Sequence, residues 1–414
     1  MISYREVFSG PKVLKMFIIM WITYGTFYLC RLNMSIAIPS MMEELGLTYT
    51  QVGTITSGLF LAYAIGQFIN GQLGDLLGAR KLITMGIVGS AVLNFIYGGM
   101  YVFVGLVIIW AANGYFQSCG WAPSCRLLTN WFPRKYRGRM TGIYGMSYQI
   151  GTVCSWLLTG WVVASLGWRW AFRVNPLLYL LWGIVFVVMI RNSPEDVGLP
   201  PIEREESTPV TAVTGVKYTL RHVLSDWRIW ACGMALFFCD ITRYGLSMFA
   251  PAFFAAKGIP IAKVAMKIAV LPMFGAAGAA TTGWASDRFF GGKRTLLIAA
   301  LSFILAGAVI GIYLVPVGVV IPFIMMAVAG FCMYGVQLIT VGTLPMDLAG
   351  REATASAAGF VDFLGYIGAF SQGIISGILI DRLQGGFTYA FYFWAGAAVV
   401  QGLILLVVYI KARV

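Results

Sequence analysis

Apolar residues run along this chain in long blocks, broken at short intervals by charged residues or by glycine and proline. The blocks fall near residues 13–41, 51–78, 82–101, 104–131, 138–165, 170–190, 228–253, 262–286, 295–315, 319–345, 352–381 and 387–410. Each offers about the ~20 apolar residues that carry a helix across a bilayer at ~1.5 Å rise per residue. The pattern therefore predicts an all-α integral membrane protein with twelve transmembrane helices. One long polar stretch, with Glu195, Asp196, Glu203, Arg204, Glu205 and Glu206, separates the sixth block from the seventh. It predicts two pseudo-symmetric bundles: an N-terminal six-helix bundle over 1–190, a cytoplasmic linker over 191–227, and a C-terminal six-helix bundle over 228–414.

Composition excludes the soluble alternatives. Of 414 residues 59% are hydrophobic and 11% charged, against about 25% charged in a typical soluble domain. A net charge of +13 would suggest nucleic acid in a soluble protein. Here it belongs in loops: with both termini cytoplasmic, 20 of the 29 lysines and arginines fall in inside segments and six in outside segments, as the positive-inside rule requires. The first apolar block is too long for a signal-peptide core and reads as the first transmembrane helix. The seven cysteines show no CxxC spacing, and the single histidine, His222, lies in the polar linker. No metal site, cofactor or disulfide framework is expected, and without a visible nucleophile, base and oxyanion set neither is an enzyme.

An internal repeat divides the chain in two. Arg31-Leu-Asn-Met-Ser35-Ile-Ala-Ile-Pro39 and Arg243-Tyr-Gly-Leu-Ser247-Met-Phe-Ala-Pro251 share the pattern R-x-x-x-S-x-x-x-P at an offset of 212 residues. The same offset relates Gly71-Gln-Leu-Gly-Asp75 to Gly283-Trp-Ala-Ser-Asp287. An even number of helices per half makes these parallel repeats, which places a binding site near the midplane. Asp75 with Arg80 and Lys81, and Asp287 with Arg288 and Lys293, stand at cytoplasmic helix ends. A carboxylate beside a helix terminus and loop cations makes a contact that can lock one conformation.

The residues expected to carry chemistry are the intramembrane charges, because an arginine or aspartate at the bilayer centre costs at least ~2.5 kcal/mol. Arg31 and Arg243 each sit about fifteen residues, or ~20 Å, along their helices. A structural ion pair is one explanation; their symmetry favours another, a clamp whose planar guanidiniums bind phosphate or carboxylate bidentately. Asp240 lies one helical turn before Arg243 and serves either as its partner or in proton coupling. Asp362 interrupts the eleventh block with no neighbouring cation in sequence, which favours a coupling role. Tyr24, Tyr28, Gln67, Trp121, Tyr144, Tyr148, Tyr334 and Tyr366 fall where they can line the same cavity. The small-residue run from Gly275 predicts close helix packing.

The segment Gly71 to Lys81, G-x-L-G-D-x-x-G-x-R-K, resembles the loop motif of the major facilitator superfamily. Within it, the chain resembles the organophosphate:phosphate antiporter family of glycerol-phosphate and hexose-phosphate transporters. The segments that carry this are Tyr28 to Pro39, Gly120-Trp-Ala-Pro-Ser-Cys, Ser193 to Glu203, Arg243-Tyr-Gly and Ala357 to Gly368. The resemblance implies that Arg31 and Arg243 are the phosphate-binding arginines and that Tyr24, Tyr28, Trp121, Tyr334 and Tyr366 surround the cavity. Gln67 stands where glycerol-phosphate carriers have a lysine, Tyr148 where they have a histidine, and Asp240 where they are uncharged. The implied protein is a monomeric carrier in a prokaryotic plasma (inner) membrane that exchanges an organophosphate for phosphate by alternating access. Tyr-x-x-Arg-x-Asn-x-Ser and Gln67 are also similar to proton symporters of sugar acids, so symport of a carboxylate, with a proton as coupling ion, stays open. So does a transporter-like ligand sensor.

Overall fold

The computed structural model describes residues 11–132, 134–200, 224–289, 294–316, 320–383 and 386–412. The described residues form α1 (Pro11–Phe27), α2 (Asn33–Leu45), α3 (Tyr49–Leu77), α4 (Ala79–Tyr97), α5 (Phe103–Gln117), α6 (Trp121–Trp131), α7 (Arg134–Leu166) and α8 (Trp168–Met189). After the polar segment come α9 (Trp227–Ala256), α10 (Ile261–Phe289), α11 (Arg294–Leu314), α12 (Ile321–Leu338), α13 (Leu344–Arg382) and α14 (Phe387–Ala412). Nine candidate spans among the described residues are long and apolar enough to cross a membrane. Most of the linker expected over 191–227 lies outside the described residues.

Three predicted spans are modified. The first is broken: α1 gives way to a 3₁₀ turn, Tyr28–Cys30, and Arg31 stands at the break rather than within a helix. Broken backbone at membrane depth needs partners for its freed carbonyls. The amides of Asn113 and Asn94 donate to the Cys30 carbonyl at 2.9 and 3.3 Å, and Asn175 donates to that of Leu29 at 3.1 Å. The fourth span is interrupted at Ser118–Gly120, between α5 and α6. Pro123, in the first turn of α6, has no N–H to return to Cys119 and is tolerated there because the first turn needs none. In the tenth, a π-helical stretch, Ile339–Thr343, leads directly into α13, so the expected gap after residue 345 is helical backbone.

The chain forms two compact units, one comprising 1–40 and 61–208 and the other 41–60 and 209–414. Residues 41–60, which the sequence repeat assigns to the first half, group with the second. In the first unit α4 packs on α5 and α8, and α1 on α7. In the second, α9 packs on α13 and α14, α10 on α12, and α11 on α14. The small-residue run bears out close packing: a Cβ on Gly278 would overlap the Phe331 carbonyl, and one on Gly330 the Leu271 carbonyl. The repeat extends to turn chemistry. Gly46 (φ +64°) and Gly258 (φ +80°) follow the first and seventh spans at that same offset, in the left-handed conformation that glycine reaches without steric cost.

Candidate anion site

In the first unit, Arg31 is almost fully buried, with 3% of its surface exposed. Its Nε donates to the Gln117 Oε1 at 3.1 Å, its Nη2 approaches the Gln117 carbonyl at 3.5 Å, and its Nη1 the Tyr28 hydroxyl at 3.5 Å. The guanidinium lies over two aromatic faces, 4.8 Å from the Tyr28 ring and 4.5 Å from that of Tyr63, which attracts a desolvated cation without neutralising it. Gln67 donates to the Tyr63 hydroxyl at 2.8 Å and so joins this group through an intermediary.

The predicted aromatics of this unit form one cluster. Tyr24 stacks on Tyr144 at 5.3 Å and meets Trp121 at 5.2 Å, while Tyr28 stacks on Tyr148 at 5.8 Å. Tyr28, Trp121, Tyr148 and Gln67 are half-buried, whereas Tyr24 and Tyr144 are buried and underlie them as packing.

The second unit presents its arginine differently. Arg243 Nε lies 3.2 Å from Asp240 Oδ1, one turn back on α9, and both are buried. The guanidinium also lies 4.2 Å from the Tyr244 ring, which in turn sits 6.4 Å from that of Tyr366. Tyr334 and Tyr366 lie within electrostatic reach of Arg243, and Asp362 within reach of both Arg243 and Asp240. Asp240 reaches toward α13 because Gly365 leaves room: a Cβ there would stand 2.9 Å from Asp240 Oδ2. By the repeat, Asp240 occupies the position of Tyr28. Gln117 and Tyr28, which Arg31 contacts, are neutral, whereas Arg243 rests against a carboxylate.

Of the expected lock residues, the side chains of Asp75, Asp287 and Arg288, and all of Lys293, lie outside the described residues. Arg80 is tied to the end of α8: its backbone N–H donates to Asn192 at 3.0 Å and its Nη2 to the Val187 carbonyl at 2.5 Å. Lys81 is exposed. Among the described residues no three His, Cys, Asp or Glu side chains gather as metal ligands.

The sequence reading missed Gln117, Ser90, Asn94 and Asn113. All four are fully buried. Their signal was present as two pairs of polar residues spaced by four within apolar helices, each pair on one helix face.

A model of the Major Facilitator Superfamily matches residues 17–373. The chain belongs to that superfamily. Within it, the chain is 30% identical over 396 residues to a glycerol-3-phosphate transporter of Bacillus subtilis, covering 90% of this chain and 88% of that protein. It is 28% identical over 388 residues to a probable hexose phosphate transport protein of Chlamydia pneumoniae, covering 89% and 85%. These relatives place the chain in the organophosphate:phosphate antiporter family, as the sequence motifs implied. Among solved structures, a bacterial homologue of the human lysosomal transporter Spinster superposes with a TM-score of 0.79 at 17% identity, over 96% of this chain and 95% of that one. That superposition carries the superfamily's fold, all helical and multi-pass.

Proposed function

We propose that this chain is a secondary transporter of organophosphates, of the sugar-phosphate or glycerol-phosphate type, in which Arg31 and Arg243 bind the phosphoryl group. The observation that carries the reading is a pair of buried arginines at equivalent positions of a sequence repeat, in a chain related over most of its length to glycerol-phosphate and hexose-phosphate transporters. Guanidinium forks match phosphate oxygens two at a time, and burial strengthens each charge-assisted bond. The half-buried Tyr28, Trp121, Tyr148 and Gln67 contribute to the sugar or glycerol end, with Tyr334 and Tyr366 beside Arg243. Inorganic phosphate is the exchanged ion, and the protein works as a monomer in a prokaryotic inner membrane with both termini cytoplasmic.

The test is counterflow of labelled phosphate in proteoliposomes, against internal glycerol 3-phosphate or a hexose phosphate, with no pH gradient. Arg31→Lys and Arg243→Lys keep the charge and lose the fork. Each is expected to abolish exchange while the variant still folds and inserts, and wild-type exchange in both variants would overturn the clamp. The Asp240–Arg243 pair favours keeping a second reading, proton-coupled symport. In that case an inward proton gradient drives net uptake and Asp362→Asn loses net uptake while retaining counterflow. Under exchange, Asp362→Asn shows no defect specific to the gradient.

A further inference from the structure

The start of α3, one span removed from the N-terminus, is tied to the end of α13, one span removed from the C-terminus. Asp381, in the last turn of α13, accepts from the Tyr49 backbone N–H at 3.0 Å through Oδ1 and from that of Thr50 at 2.5 Å through Oδ2. These are the first two residues of α3. The third is capped locally: the Gln51 N–H donates to Thr48 Oγ1 at 3.2 Å, and Gln51 Oε1 accepts from the Thr48 N–H at 2.9 Å, a capping box. The Val52 N–H then bonds the Thr48 carbonyl at 3.0 Å. Of the donors that a helix N-terminus leaves open, two therefore depend on a side chain 331 and 332 positions away.

Deeper along the same two helices, small residues make a close seam. Ser57 Oγ donates to the Phe370 carbonyl at 2.6 Å. A Cβ on Gly53 would overlap the Gly373 carbonyl, one on Gly377 the Tyr49 carbonyl, and one on Gly373 would overlap Ser57 Oγ and stand 2.8 Å from the Gly53 carbonyl oxygen. This seam is what groups residues 41–60 with the second unit, although α3 runs on from residue 61 in the first. Asp381 itself is exposed, so its two bonds exchange readily with water. A carboxylate at a helix N-terminus is favoured by the dipole, and an exposed one contributes modestly. Such a contact biases a closed seam without welding it.

We propose that Asp381 is a latch at the outer end of the carrier. Its carboxylate caps α3 while the seam with α13 is closed, and it releases both N–H groups to water when α3 leaves α13 and the outer side opens. The inference rests on alternating access with cytoplasmic termini, and on neither arginine. It places a carboxylate latch at the end of the molecule opposite to Asp75 and Asp287.

The test reads the seam directly and needs no phosphate. Thr56 is 1% exposed, and its Oγ1 lies 3.1 Å from the Cβ position of Gly373, so Thr56→Cys puts a thiol inside the seam. Full-length Thr56→Cys protein in right-side-out membrane vesicles is labelled from outside with a membrane-impermeant maleimide, and the protein retaining Thr56 gives the background of the native cysteines. Adding Asp381→Asn removes the charge and leaves one acceptor oxygen for two donors, and is expected to speed labelling about threefold to tenfold. Adding Gly373→Ala instead, whose methyl fits only a parted seam and whose helix propensity exceeds that of glycine, is expected to speed labelling as well. It carries the seam half of the test should Asp381→Asn fail to fold, with Asp381→Glu, which keeps the charge on a longer arm, then replacing Asn and expected to speed labelling less than Gly373→Ala. A merely structural cap would lower the unfolding temperature in Asp381→Asn and leave labelling at the Thr56→Cys rate. That result would overturn the latch and leave the functional reading intact. Faster labelling in a protein that exchanges no phosphate would support the latch and overturn the organophosphate reading alone.

Discussion

Replacing Asp240 by asparagine isolates what the carboxylate does to Arg243. The two charged groups stand 3.2 Å apart, both buried. At an effective dielectric constant of ~20, opposite charges at that distance attract by about 5 kcal/mol before desolvation is counted. Removing one partner of such a pair costs about 3–5 kcal/mol, an upper figure for Arg243 because Asp362 also lies within its electrostatic reach. Asp240→Asn should therefore unfold at a clearly lower temperature than wild type in phosphate-free buffer. An anion that binds Arg243 takes over the lost role. If about a third of the pair energy opposes the anion in the wild type, the variant should bind phosphate about tenfold more tightly. At saturating phosphate a tenfold lower Kd is worth about 1.4 kcal/mol more to the variant than to wild type, so the gap between the two proteins should narrow by about that much as phosphate is added. Differential scanning fluorimetry across a phosphate titration measures both effects. A variant that is destabilised but binds phosphate no more tightly than wild type would refute the idea that Asp240 competes with the anion.

Two further outcomes test the packing and the cytoplasmic helix ends. Gly278→Val and Gly330→Val drive a side chain into a backbone carbonyl of the facing helix, and each should cost about 3 kcal/mol or more; Gly307→Val on α11, with nothing within 4 Å of its Cβ, should stay within ~1 kcal/mol, and equal losses at all three sites by thermal unfolding would contradict the packing account. Asp75→Asn and Asp287→Asn, chosen from the repeat alone, should slow exchange severalfold with phosphate affinity within twofold, and an affinity loss that tracks the rate would remove the conformational-lock role.

Most of the helical architecture was legible because membrane spans announce themselves by length and hydropathy, and a charge within one must have a reason to be there. Arg31, Arg243 and Asp240 stood out on that ground. What the pattern could not convey was backbone irregularity. The block containing Tyr28 to Leu32 is long and apolar like its neighbours, and its break depends on amides from α4, α5 and α8, residues 64 to 146 positions away in sequence. Gln117, Ser90 and Asn113 escaped notice for a related reason. Singly, a serine or amide in an apolar helix is unremarked, and only the fold joins these three by hydrogen bonds. Tyr144, expected to line the cavity, is fully buried, with Tyr24 and Trp121 packed against its ring.

The unequal company kept by the two arginines also has an electrical side. Asp240 and Arg243 carry opposite charges 3.2 Å apart, whereas Gln117 and Tyr28, two of the groups that Arg31 contacts, are neutral. These groups together carry one formal positive charge while Asp362 is protonated and none once it ionises. A charge carried across the full membrane potential is worth ~2.3 kcal/mol per 100 mV, enough to bias the return of an empty carrier severalfold even if it crosses only half the field. If Asp362 is the group that titrates, steady-state currents recorded as pH is varied should change in the steepness of their voltage dependence.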